Sequence, residues 1–404
     1  MNRPLFIVDK FCNGNPHFGL SAWEGNIVSS FETSSGIKPG VFHFDENRLN
    51  DPSIDHNKSL ISQILNYKPD YIFAVVYEDL QEESKTHLSL SSLRHIGVEL
   101  SIPVVFLFGD LEILPQLRIA ERVINLSTLV LYSALSSAGN LLSSKKARYV
   151  WVPKDSRYFY SESGRRDIDV CYVGSPTKER MHLLRYLERE GVSVAHFGGE
   201  RVSNIKVQDY AGILRKSKIC LSFSRSFRAH VINARPYEIA ACGGLILEQH
   251  GLETPRMFSP WDEFIPYFSY RDCRSKIIKL LANQDEIEKI SSAATRRYKS
   301  YYTATHFWNE VDRYVSESIN RRGRGLISVS ESLPFPLTNT SVMHDAALHL
   351  YVNYPPSTLI LYNLMYRIYS DRILFSLYWN LFEFRRYIWW TMLACFTLAF
   401  LMGK

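Results

Sequence analysis

The chain has 404 residues, of which 46% are hydrophobic and 22% charged. That composition supports large cores and excludes an intrinsically disordered chain, and the length predicts two domains plus an appendage. A net charge of +6 is too mild to imply nucleic-acid binding, and 20 glycines with 17 prolines exclude a collagen-like chain.

From residue 4 to about residue 153, short apolar runs alternate with polar, helix-compatible stretches. The runs 5–8, 71–76, 103–108, 128–132 and 149–152 are rich in β-branched and aromatic side chains. Such runs predict strands buried on both faces of a parallel sheet. Helical crossovers fit between them, for example over 59–66 and 91–100. Residues 1–152 therefore read as a doubly wound, Rossmann-like α/β domain. Residues 153–167 are polar and rich in Ser and Arg, which predicts a linker.

A second α/β pattern fills 168–318. Strands are predicted over 168–173, 192–197, 219–223, 245–248 and 265–268. Helices are predicted over 178–190, 207–216 and 233–242, with Pro236 tolerated in a first turn, and from about 274 to 314. Two such domains joined by one linker leave a cleft between them. Ligands of open α/β sheets bind beyond the carboxyl ends of the strands, so chemistry is expected just after each strand.

Residues 319–404 differ. Residues 321–404 carry eight basic and four acidic side chains, and 351–390 hold 13 aromatics in 40 positions. Residues 387–402 are then sixteen without a charge, flanked by Arg385-Arg386 and Lys404. The tail reads as a helical, aromatic-rich appendage.

The six cysteines form no C-x-x-C pair and sit mostly in apolar runs, which predicts buried reduced thiols in a cytosolic protein. The first ten residues hold an apolar run too short for a signal peptide, interrupted by Asp9 and Lys10. No G-x-G-x-x-G opens a helix after the first strand, and no G-x-x-x-x-G-K-[ST] occurs, which argues against a nicotinamide enzyme and a P-loop NTPase. No D-x-D stands at a strand end, so no metal is implied.

The strongest segment is N-A-R-P-Y-E-I-A-A-C-G-G, Asn233 to Gly244, followed by L-I-L-E-Q-H-G-L-E. With V-G-S at 173–175, F-G-G at 197–199 and I-C-L-S-F-S at 219–224, it resembles the C-terminal domain of GT-B glycosyltransferases. The likeness is to the group 1 family, in particular its spore-maturation-protein-like branch, over about 167–311. N-P-H-F-G-L-S-A-W-E, at 15–24, also looks like that family's opening loop.

The resemblance implies a nucleotide-sugar donor as co-substrate, no bound cofactor, and a hydroxyl acceptor on a glycan, a lipid-linked carrier or a protein. It implies that Glu238 accepts hydrogen bonds from the donor's ribose. Arg235, one turn earlier, could face the same cleft and meet the diphosphate, with Asn233, Arg180 and Arg228 as further candidates. Gly174 and Ser175, between a strand and a helix, would let backbone N–H groups approach a phosphate. The bland alternatives stay open: Glu238 as a helix-surface carboxylate paired with an Arg, Gly243-Gly244 as a helix C-cap, Arg180 and Arg228 as solvated surface, and Cys242 as core. Retaining members of the superfamily carry a second Glu eight positions before the ribose-binding one. Here that position is His230, a candidate donor contact or a loop histidine.

Inverting GT-B enzymes often place a His in the loop after the first strand to deprotonate the acceptor, helped by an Asp. His17 lies in that loop, and Asp110 follows the strand 103–108. Their alternatives are a loop His bonded to backbone and a helix-capping carboxylate. Arg-flanked aromatic helices suit a headgroup layer, so 351–404 predicts a peripheral membrane contact at a cytosolic face, with a buried helix as the rival. Two further functional readings compete: a catalytically degenerate nucleotide-sugar or glycan-binding module, and a tail that serves as a scaffold for a partner enzyme.

Overall fold

The computed structural model describes residues 3–76, 80–109, 111, 114–133, 144–162, 164–175, 177–198, 206–223, 234–251 and 253–323. Met1–Thr338 forms one compact unit, and both sheets lie within it. Asp110, Arg228, His230, Asn233 and the whole stretch 351–404 lie outside the described residues.

The first lobe is built on six parallel strands: β1 (Pro4–Ile7), β2 (Gly40–Phe42), β3 (Tyr71–Ala74), β4 (Val104–Phe108), β5 (Leu129–Tyr132) and β6 (Ala147–Tyr149), in the order β2-β1-β3-β4-β5-β6. Every residue of β1, β3, β4 and β5 is buried, which is why these strands read as unbroken apolar runs. β2 was not predicted. It has three residues, and its Gly40 packs so close to the Tyr67 ring that a Cβ would stand 2.9 Å from it. The crossover before β3 is the helix His56–Tyr67, capped by Asp55, whose carboxylate accepts from the N–H groups of Asn57 and Lys58. Residues 91–100 divide into an α-helix Leu90–Arg94 and a π-helical turn His95–Glu99.

The second lobe has five parallel strands: β7 (Ile168–Val173), β8 (Ala195–Phe197), β9 (Ser217–Ser222), β10 (Leu245–Gln249) and β11 (Ile265–Tyr267), ordered β11-β10-β9-β7-β8. In each lobe the first strand sends the chain first to one side and then to the other. β1 leads to β2 on one flank and β3 on the other, and β7 likewise to β8 and β9. The carboxyl ends of β1 and β7 are therefore topological switch points, where open sheets offer a crevice.

The stretch 153–167 is packed rather than solvated. Lys154 is 1% and Asp155 2% exposed, and Phe159 is buried. Asp155 holds Arg157 through two of its nitrogens and touches Thr33 of the first lobe at 3.4 Å. The chain then runs through the helices Tyr270–Leu281 and Gln284–Tyr301 to Ala304–Gly323. This last helix returns to the first lobe. Its Trp308 meets Phe6, Phe31 and Phe73 at centroid distances of 5.1–5.5 Å, and its indole N–H donates to Ser30 Oγ. Five cysteines fall in the described residues and all are free thiols, four of them buried. Among the described residues no helix is long and apolar enough to cross a membrane.

Candidate active site

The donor-side group forms where β7 ends. Gly174 has φ +152°, and a Cβ there would stand 2.5 Å from Tyr172 Oη and 2.8 Å from Arg235 Nη2. Gly198 has φ +107°, and its Cβ would meet the Gly174 carbonyl at 2.9 Å. The V-G-S and F-G-G motifs thus let the ends of β7 and β8 touch backbone to backbone. Gly174 N–H donates to Phe197 O, which takes it away from any ligand. The Ser175 carbonyl gathers three donors: Thr177 N–H, Arg180 Nη1 at 3.1 Å and Tyr172 Oη at 3.4 Å.

Tyr172 stacks on Phe223 at 4.6 Å and on His196 at 5.4 Å. Two guanidinium groups cover this aromatic stack. Arg235 lies 5.2 Å from the Tyr172 centroid, and Arg180 lies 5.5 Å from that of Phe223. Burial pulls the Arg235 pKa down, but the rings of Tyr172 and Tyr210 and the carboxyls of Glu238 and Glu248 outweigh it, and the net shift is upward. Arg235 is therefore a permanent cation at a switch point.

Glu238 sits one turn further along the helix Arg235–Cys242, with 8% of the residue exposed. Its Oε1 accepts from Lys154 Nζ at 2.6 Å, and its Oε2 accepts the Tyr210 hydroxyl. Burial raises the carboxyl's pKa. The charge and hydrogen bond of Lys154, the Tyr210 hydroxyl and Arg235 more than reverse this, so the carboxylate stays ionised. Each oxygen keeps a further lone pair beyond the bond it already makes. Lys154 Nζ also reaches Asn26 Oδ1 of the first lobe at 3.4 Å and lies over the Phe159 ring. Glu238 is thus at the seam between the lobes, tied through one lysine to both.

Glu248 ends β10 beside Ser222 of β9. Burial pushes its pKa up to about 8, against the opposing pull of Thr254, Arg235 and Ser222. Near neutral pH it is a mostly protonated acid close to Arg235.

On the first lobe, the loop after β1 turns back on itself. Cys12 N–H donates to Gly19 O, and Ser21 N–H to Lys10 O. Asp45, fully buried, clamps the loop by accepting from Lys10 N–H and Phe11 N–H. His17 lies exposed in the turn Pro16–Phe18, where its backbone N–H donates to Asn15 Oδ1.

The structure brings Gly174, Ser175, Arg180, Arg235 and Glu238 into one neighbourhood and leaves His17 apart on the loop surface. Sequence reasoning missed Lys154, Tyr210, Asp9 and Glu248. For Asp9 and Glu248 the signal was present: each directly follows or closes an apolar strand run.

Residues 165–312 match the model of a family described as glycosyl transferase-like. No curated protein matches the chain in sequence. Among solved structures, Anabaena HepE in complex with UDP-glucose is 11% identical, with a TM-score of 0.56 over 79% of this chain and 100% of that one. The fold is GT-B. An alpha-glucosyltransferase in complex with UDP and a 13-mer DNA (11% identity, TM-score 0.53) covers 78% of this chain and 100% of its own. Sucrose-phosphate synthase from Thermosynechococcus elongatus (9% identity, TM-score 0.52) covers 79% and 100%. In GT-B terms, the cation pair at β7 and the carboxylate at the seam lie on the two halves' facing surface. That arrangement can hold a polyanion beside a diol.

Proposed function

We propose that the chain is a glycosyltransferase that moves a sugar from a nucleotide-sugar donor to a hydroxyl of a glycan, lipid-linked or protein acceptor. The observation that carries this is Glu238: an ionised carboxylate at the interlobe seam, with Arg235 one turn before it at the β7 switch point. In this reading the ribose hydroxyls share the carboxylate's remaining lone pairs, and Arg235 and Arg180 meet the diphosphate. The titles of the HepE and alpha-glucosyltransferase structures name UDP or UDP-glucose as ligands, which supports a nucleotide-sugar donor here. Asn233, His230 and Arg228 belong to the proposal as donor contacts on sequence grounds, and no metal is assigned a role.

The tail's composition supports contact with a membrane surface at its cytosolic face: clustered aromatics, an uncharged run at 387–402, and Arg385-Arg386 beside it. A lipid-linked or envelope-glycan acceptor fits that location.

The test is release of nucleoside diphosphate from a panel of UDP-, GDP-, dTDP- and CMP-sugars. The wild-type chain should turn over one donor class, and Glu238→Ala should lose most of that turnover. Equal turnover by the variant would remove Glu238 from the donor site. A second reading, a nucleotide-sugar-binding module without catalysis, is favoured by one observation: both Glu238 oxygens already hold protein partners. Donor binding without turnover would select it.

A further inference from the structure

Sugar transfer to a hydroxyl needs a group that takes the hydroxyl's proton, and the inference here rests on the glycosyltransferase reading. Asp9 stands two residues beyond β1, at the first lobe's switch point. That is the counterpart of the place that Gly174 and Ser175 occupy beyond β7. Its side chain is half-buried, and no donor among the described residues hydrogen-bonds its carboxylate. Its lone pairs are therefore unspent, unlike those of Asp45, which hold two backbone N–H groups.

The surrounding charges are otherwise matched. From the helix Phe44–Asn50 and the residue before it, Asp45 opposes ionisation of Asp9, while Arg48 and His43 favour it. His43 is itself engaged, with Nε2 2.9 Å from Glu24 Oε2, and Lys10 pairs with Glu46 at 2.5 Å. No group of three or more His, Cys, Asp or Glu among the described residues could hold a metal ion, so the cluster is not explained as a metal site.

One short element joins this cluster to the donor side. The π-helical turn Glu24–Ser29 carries Glu24, bonded to His43, and Asn26, bonded to Lys154, which holds Glu238. Asp9's neighbours and the donor carboxylate thus lie on one chain of contacts across the seam.

We propose that Asp9 is the catalytic base, its carboxylate taking the acceptor hydroxyl's proton at the seam between the lobes. As that proton moves to the carboxylate, the hydroxyl oxygen bonds to the donor's anomeric carbon. The bond from that carbon to the β-phosphate oxygen breaks, and its electron pair leaves with the nucleoside diphosphate. Protonated Asp9 then returns the proton to solvent. A single displacement of this kind inverts the anomeric configuration. Burial, then the Asp45 charge, lift the Asp9 pKa from 3.8 to about 6. A base so placed is ionised near neutral pH yet basic enough to accept a proton.

The experiment compares wild type, Asp9→Asn, Asp9→Ser and His17→Asn. It measures donor Kd by calorimetry, and diphosphate release with water and octyl glucoside as acceptors. Asp9→Asn and Asp9→Ser should bind the donor within about twofold of wild type and lose roughly 100-fold or more in kcat. Sodium azide, a nucleophile with no proton to lose, should restore diphosphate release to Asp9→Asn. In the wild type kcat/KM should rise through a limb near pH 6, and the product should have inverted configuration. An Asp9→Asn variant within tenfold of wild type, retained configuration, or a loss confined to His17→Asn would overturn the assignment. Donor binding by wild type without release at any pH would also count against Asp9. Failure of wild type to bind any donor would instead overturn the glycosyltransferase reading beneath it.

Discussion

At the scale of single residues, the decisive contact is the one between Glu238 and Lys154. Both side chains are nearly sealed from water, yet each is charged because the other is there. Glu238's folded pKa lies below its ordinary value of 4.5. The pair therefore stabilises the fold above about pH 4.5, and the contribution fades as pH falls through the lower folded value. Lys154→Met strands a buried carboxylate and should cost about 3–5 kcal/mol at pH 7 by urea unfolding. At a pH low enough to protonate Glu238 the loss should shrink, and adding Glu238→Gln should recover much of it. An equal loss at both pH values would mean that Lys154 acts through packing alone.

Asp9 has the opposite sign. Its folded pKa is raised, so the charged form destabilises the fold as pH rises from about 4 to 6. Asp9→Asn should melt higher than wild type at pH 8, by about 1–3 °C, and at the same temperature at pH 4. A lower melting temperature at pH 8 would show that the carboxylate has a stabilising partner.

These residues explain what the sequence concealed. Lys154 lies in a polar stretch, and its burial depends on a carboxylate 84 positions away. No local pattern reports that. Asp9 was as visible as Gly174, since both follow a strand. Attention goes to His17 because imidazole titrates near neutrality in water, whereas Asp9 reaches about 6 only through burial and Asp45.

At the scale of elements, the strands were largely legible because parallel strands covered on both faces leave unbroken apolar runs. β2 was not, since three residues beginning with glycine carry no such run. The terminal helices were also legible, but their partners were not. The helix Ala304–Gly323 follows the second lobe in sequence and packs on the first through Trp308. Trp308→Ala should destabilise the protein by about 3–5 kcal/mol. Trp308→Phe should cost less, since it keeps an aromatic ring and loses the hydrogen bond to Ser30 Oγ. Thermal unfolding checks both, and a change under about 1 kcal/mol for the alanine variant would show that the helix is not a structural tie.

At the scale of the whole molecule, two lobes repeat one topological plan, and each presents chemistry at its own switch point. β7 offers two arginines over stacked rings, and β1 offers a carboxylate with unspent lone pairs. Between them the packed stretch 153–167 and the returning helix connect the lobes. The aromatic contacts of Trp151 with Tyr302 and Phe307 reinforce that connection. The central claim is that Glu238 grips the ribose of an activated sugar. Titration calorimetry of wild type, Glu238→Gln and Glu238→Ala with the UDP-, GDP-, dTDP- and CMP-sugar panel tests it directly. Wild type should bind one donor class, and both variants should bind it at least about tenfold more weakly while remaining folded. Folded variants that bind that donor as tightly as wild type would contradict it.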